Sequence, residues 1–391
     1  MKAFTTYLTE AAASEEKLTH LEHNEDHIIH SGNDGYQHAV ANLRAVHDKL
    51  TGKDNDVDVQ VKHDGSPSVI FGTHPENGKF FVSTKSAFNK QPKINYDSKD
   101  VQENHGHAPG LVNKLNAALE HLPKVTPKKG VFQGDIMYTR DQGGDDVAES
   151  GGKFHFTPNT IKYSTPTDSD EGKKIAKAKF GVLVHTGYKG DTFEDMKADY
   201  TPDKSAFKKH KDVHLFDNSQ DFGNTTYTDK QQNDYHEHML AADKSQDKTD
   251  LKAIAPHEEH LKTYINQTVK EDSAPTVEGY QDHLQNKYNK RINDLKTEGA
   301  KTKKREELNG LMSDVKKSNS DFENAFETHH HLQQAKHTLI DALGTHQRYE
   351  HSIGGEASKP EGYVIVRNNR PSKLIDRPDF SRKNFQLSAN R

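Results

Sequence analysis

The chain has 391 residues, with 54 Lys and Arg against 59 Asp and Glu, a formal net charge of −5, and neither cysteine nor tryptophan. The missing thiols exclude disulfides, thiolate zinc sites and cysteine nucleophiles, so catalysis must draw on Lys, His, Asp, Glu, Ser or Tyr. A slightly acidic chain does not hold nucleic acid by bulk charge, so any polynucleotide contact must be a local patch. Hydrophobic residues make up 31% and charged residues 29% of the chain, too little apolar filler for one large globule, so part of it should be helical and solvated. No window approaches the roughly 18 apolar residues of a membrane span, and Glu10, Glu15 and Glu16 interrupt the N-terminus where a signal peptide would be apolar. A cytoplasmic protein with no membrane partner is expected. The 26 histidines would reverse the net charge as pH falls toward about 6.

Residues 14–50 read as helices, from the spacing of Leu18, Leu21, Ile28 and Ile29, then Val40, Leu43, Val46 and Leu50, with a break at 32–35. Residues 1–50 thus form an N-terminal helical segment. The period then becomes strand-like at 57–61, 68–72 and 79–83, and after a helix at 110–121 strands resume at 130–136, 154–156, 160–163 and 180–184. Many short strands with few crossover helices predict antiparallel sheets in an α+β domain, whose first part spans 51–200. From 201 to 350 the chain is polar and helix-rich, and it reads as a helical insertion. Within it Leu284, Tyr288, Ile292 and Leu295 share one face, as do Leu308, Leu311, Met312 and Val315. Lysines and arginines from Lys287 to Arg305, among them Lys303, Lys304 and Arg305, surround these faces, although Glu306, Glu307 and Asp314 dilute the charge. A solvated surface helix is the plainer account of them, and a nucleic-acid clamp the sharper one. The last strands fall in 351–391, at 362–366 and 373–375.

One ordered set of residues carries chemistry. Lys62-His63-Asp64-Gly65 places a lysine at a strand end before a glycine turn. Such a tetrapeptide is common by chance, and its weight comes from four downstream elements in order: Thr84-Lys85-Ser86 after a strand, Gln133-Gly134-Asp135 inside one, Glu361-Gly362 at a strand start, and Lys373. Lysines and carboxylates at the ends of strands of one sheet converge on a cleft suited to a phosphate and its metal. The run His329-His330-His331 with His337 is better read as packed or solvated histidines than as a metal site, because successive residues on a helix face different ways. His257-Glu258-Glu259-His260 lacks the spacing of a zinc protease.

With these motifs the chain resembles the covalent nucleotidyltransferases: ATP-dependent DNA ligases, RNA ligases and mRNA capping enzymes. Residues 18–88 and 361–385 also resemble ligase-like proteins of tailed bacteriophages, which implies a phage-infected bacterial host. The resemblance implies an ATP-grasp-like ligase adenylation domain, built on antiparallel sheets, with N-terminal helices and a large helical insertion. It makes Lys62 the residue that takes up the nucleotide as lysyl-AMP. Gln60 becomes a candidate base contact, Asp64 and Gly65 shape the turn, and Lys85, Asp135, Val184, Glu361 and Lys373 join the nucleotide site. Mg²⁺ would be held by Glu361 first and Asp135 second. The chain departs from the family pattern at Asp135, where Glu is usual, at Val184-His185, where an aromatic and Asp are usual, at Ser66-Pro67-Ser68, where an arginine often stands, and at Ile375, where a second lysine is usual. Arg370 and Arg377 are alternatives for that lysine. The tail after Lys373 is too short for the oligonucleotide-binding barrel of DNA ligases and capping enzymes, so the expected partners are nucleic acid ends, RNA in preference to DNA. The alternatives are a catalytically degenerate nucleotide- or nucleic-acid-binding phage protein, and nucleotidyl transfer to an acceptor that is not a nucleic acid.

Overall fold

The computed structural model describes residues 21–141, 144–223, 225–344 and 348–377. The start of the expected helical segment, at 14, and the tail reaching 385 lie outside the described residues. Tyr36, Ala39, Val40, Leu43 and Val46 recur at three- and four-residue spacing and are all buried, which gives helix α1 (His27–Leu50) an apolar face. Ser31 and Gly32, the latter at φ 54°, leave helical geometry and kink α1 where the break at 32–35 was expected.

Three strands come next, β1 (Asp58–Lys62), β2 (Ser68–Thr73) and β3 (Phe80–Ser83), then helices α2 (Ser98–His105) and α3 (Pro109–His121). After them stand β4 (Val131–Thr139), β5 (Val147–Ser150), β6 (Lys153–Phe156), β7 (Lys162–Pro166), the short α4 (Asp170–Ile175), β8 (Phe180–Lys189), β9 (Lys197–Asp199) and β10 (Val213–Leu215). The helices α5 (Asp229–Gln246), α6 (Leu251–Ile254), α7 (Glu258–Glu271), α8 (Val277–Asp294), α9 (Glu298–Lys317) and α10 (Asn319–Leu343) form one run. Four strands complete the described chain: β11 (Glu350–Ile353), β12 (Glu356–Ser358), β13 (Gly362–Arg367) and β14 (Arg370–Leu374).

The strands make three sheets, ordered β1-β13-β14, β10-β8-β4-β2-β3 with β9 beside β8, and β12-β11-β7-β6-β5. Every ladder between these strands is antiparallel except β10 on β8. The protein is therefore α+β with antiparallel sheets. In the six-stranded sheet, Val69, Phe71, Val182 and Val184 pack with Val112, Leu115 and Ala118 of α3, so the helices cover that face. The opposite face carries Ser68, Gln133, Asp135 and His185, and the three-stranded sheet lies over it across a cavity.

Two features differ from the sequence reading. The long helices begin at Asp229, not near 201, because β10 adds an edge strand to the six-stranded sheet within that stretch. Three residues between charged neighbours are too few to show a period. The helices are also continuous with the rest: α1, α5 to α10 and residues Ile365 and Leu374 share one hydrophobic core. Leu284, Tyr288 and Ile292 are buried in it as their spacing predicted, with Leu308 and Val315.

Candidate active site

The site begins where β1 ends. Lys62 lies opposite Gly362 in the β1–β13 ladder, so the residue before Gly362 falls beside the lysine. Gly362 has φ 143°, and a Cβ there would lie 2.3 Å from the Leu374 carbonyl oxygen, so only glycine allows this entry into β13. Lys62 Nζ donates to Glu361 Oε1 at 2.6 Å. The second oxygen of Glu361, Oε2, is buried with no hydrogen-bond partner among the described residues.

Beyond Lys62 the chain turns onto β4. Ser66 N donates to Ile136 O and Ile136 N to Pro67 O, each at 3.0 Å. The Asp64 carboxylate accepts from Asn159 Nδ2 at 2.8 Å, Thr160 N at 2.7 Å and Ile161 N at 3.0 Å, so it fixes the turn and has little capacity left for proton transfer. Gly65 brings this turn against Asp135: a Cβ on it would lie 2.5 Å from Asp135 Cβ and 3.0 Å from Met137 Sδ. Gly65→Ala should therefore push the turn and Lys62 away from β4 by a fraction of an ångström to about 1 Å. A displacement of that order costs catalysis roughly 10²-fold. Any reaction that depends on the placement of Lys62 should slow by that factor while the circular dichroism spectrum stays that of the parent.

Lys62, Lys85, Lys373, Asp135 and His185 all line one cavity of about 250 Å³. Leu183 lines it too, whereas Val184 turns to the helix-covered face and packs with Val69 and Val182. Val184 is thus removed from the expected nucleotide site, because side chains alternate along a strand. The β4–β8 register jumps between Gln133 and Gly134, from Thr186 to Val184, leaving His185 as the extra residue of a β-bulge. His185 Nε2 comes within 3.5 Å of Asp135 Oδ1.

Three lysines and two carboxylates set the electrostatics. Burial works to lower the Lys62 pKa, but Glu361, with Asp135 and Asp64, overcomes it and raises it. Burial likewise pushes Glu361 up, and Lys62 only partly offsets this. Each partner therefore holds its proton harder than in water, and Lys62 rests as an ion-paired ammonium. The lysine shifted downward is Lys373, by burial and then by the nearby Lys62. Asp135 is shifted down: burial opposes this, and His185, Ser68 and Lys62 outweigh it.

Gln60 lies in the cavity wall with its amide already engaged: Nε2 donates to Asp58 Oδ2 at 2.6 Å and to Tyr200 O at 3.1 Å, and Oε1 accepts from Asn218 at 3.0 Å. It shapes the wall and has no donor free for a base. Lys303, Lys304 and Arg305 lie on α9, which contributes nothing to the cavity lining. Lys304 pairs with Glu307, and Arg305 Nη1 lies 3.9 Å from Glu298. Gln133 and His185, named within their motifs but given no site role, also line the cavity, as do Tyr188, Tyr200 and Asn218, which sequence reasoning missed.

The histidine run divides as its helical position dictates: His329 Nε2 meets Asp26 at 2.8 Å, while His331 Nδ1 meets His238 Nδ1 at 3.1 Å. Glu25, Asp26 and His329 stand close enough to hold a metal ion, but Lys336 and Arg377 already neutralise the two carboxylates. No helix among the described residues is long and apolar enough to cross a membrane. Residues 18–389 match the profile of a family of unknown function, DUF6267. No curated protein and no solved structure matches the chain.

Proposed function

The chain belongs to the DUF6267 family, and we propose that it is an ATP-dependent polynucleotide ligase of RNA-ligase type, working through a lysyl-AMP at Lys62. The observation that carries this reading is a lysine at a strand end, inside a cavity shared with two further lysines, Lys85 and Lys373, and hydrogen-bonded at 2.6 Å to Glu361. The two cations suit the β- and γ-phosphates of a nucleoside triphosphate. Glu361, whose pKa is raised, is the base in reach of the Nζ proton.

Once that proton leaves, the Nζ lone pair attacks the α-phosphorus of ATP. A P–N bond forms, the bond from the α-phosphorus to the bridging oxygen breaks, and pyrophosphate departs. The AMP then passes to a 5′-phosphate, restoring the amine. A 3′-hydroxyl displaces AMP from that activated phosphate to leave a phosphodiester. Glu361, whose Oε2 has no partner among the described residues, and Asp135 in the cavity wall are the carboxylates that would hold a Mg²⁺ ion together with water and phosphate. When bound, that ion would offset the charge of the departing pyrophosphate.

The test is incubation with ATP labelled at the α-phosphate and Mg²⁺, then denaturing electrophoresis. An acid-labile label on the protein is expected, and absence of label with either ATP or GTP overturns the proposal. The second reading, a nucleotide- or nucleic-acid-binding protein without catalysis, draws on the raised pKa of Lys62 and predicts that absence. If label forms but no nucleic acid end discharges it, the acceptor is of another class.

A further inference from the structure

The acidic chain concentrates positive charge on a surface built from three loops far apart in sequence. Residues 124–130, 177–179 and 204–212 contain nine lysines and a single carboxylate, Asp212. Lys208 N donates to Val125 O at 2.8 Å, and Lys179 N to Asp212 O at 2.8 Å, so the three loops lie side by side, reaching from the β10 edge at Asp212 to the end of β2 at Thr73. Phe207, buried with its ring 4.8 Å from that of Phe132, anchors the third loop, and Thr73 Oγ1 holds the Lys128 carbonyl at 2.9 Å. The loop backbones are thus fixed, and the lysines project from a firm platform.

Lys128, Lys129, Lys179, Lys208, Lys209 and Lys211 are exposed, and no carboxylate pairs with any of them among the described residues. Asp212 is already held by Lys124 at 2.9 Å. On α9, by contrast, Glu298 answers Lys301 and Glu307 answers Lys304 within the helix. The platform also leads to the cavity. Lys204, where the third loop starts, donates to Asn218 in the cavity wall. From Val131, just past Lys129, β4 runs four residues to Asp135, about 13 Å at strand rise.

We infer that this three-loop lysine platform is the surface on which a polynucleotide lies, its phosphates on the six lysines and its end directed to the Lys62 cavity. The inference rests on the ligase reading for the role of that end, whereas the binding itself does not. A phosphodiester chain fits better than an anionic bilayer. Membrane surface binding needs apolar side chains to insert, and the one exposed large hydrophobic among the described residues, Leu240, sits on α5.

The experiment measures anisotropy of a fluorescent single-stranded RNA against KCl for the full chain. Each phosphate contact on a single strand contributes about −0.7 to the slope of log K against log salt. Lys208→Glu/Lys209→Glu/Lys211→Glu should weaken binding 10- to 100-fold at low salt and make the slope shallower by about two units, with Lys62 labelling by ATP unchanged. Lys303→Glu/Lys304→Glu/Arg305→Glu should bind within about twofold of the parent. Unchanged affinity of the first variant, or parent protein that prefers phosphatidylglycerol vesicles to RNA, overturns the inference. A parent that binds RNA through these lysines but takes no label would leave the surface standing and overturn only the ligase reading.

Discussion

Lys62→Ala is expected to remove the covalent label to the limit of detection, a loss on the order of 10⁴-fold or more, since no other group replaces a covalent nucleophile. The variant alone does not separate chemistry from structure, because it also strips Glu361 of its hydrogen-bonded cation. Lys62→Arg does. An arginine keeps a permanent positive charge beside Glu361 yet cannot lose its proton to become a nucleophile. It should fold with near-parental stability and remain unlabelled.

The two variants should also differ in pH dependence. Burial already pushes Glu361 up in the parent, and removing Lys62 removes the partner that offsets this. A carboxyl group with a raised folded-state pKa binds protons more tightly folded than unfolded. Its stability is fully present below the unfolded value near 4.5 and is lost as pH rises through the folded value. Urea denaturation of Lys62→Ala should show stability falling from pH 5 to pH 8 more than in the parent, and Lys62→Arg should not. If Lys62→Ala takes label at the parental rate, the lysine is not the nucleophile.

The strands that carry the site were legible because their β-branched and aromatic runs are short and bounded by turns, and the order of Lys62, Lys85, Asp135, Glu361 and Lys373 survived into one cavity or its immediate wall. What the sequence concealed has identifiable causes. A bulge at His185 changes which side chains reach the cavity, and no composition marks a bulge. The ion pair of Lys62 depends on Glu361 meeting it across a ladder joining positions some 300 residues apart. Contiguity in sequence is also a poor guide to where positive charge stands unanswered. Lys301 and Lys304 stand together in sequence but each has a carboxylate one helical turn away, whereas the unpaired lysines of the three-loop platform are assembled only by folding.

The largest loss of stability should come from Lys336→Met, at about 3–5 kcal/mol, the cost of leaving a buried charge without its partner. Lys336 Nζ donates to Glu25 Oε1 at 2.6 Å, and both side chains are wholly inaccessible to solvent. Burial acts to raise the Glu25 pKa, but Lys336, together with His23 and Arg377, outweighs it and brings it to about 2. In the parent this carboxylate contributes stability that is present above its unfolded value near 4.5 and lost as pH falls toward 2. Lys336→Met removes the main cause of the depression, so that acid-side contribution should shrink or reverse. Adding Glu25→Gln should recover most of the stability, because it removes the orphaned charge at nearly constant volume. The effect should reach the site: Glu22 O accepts from Lys373 N at 2.8 Å, so the turn that holds Glu25 also holds the strand that carries Lys373. ATP labelling should therefore fall in Lys336→Met and return in the double variant. Recovery of stability without recovery of labelling would mean that Lys336 serves the fold alone.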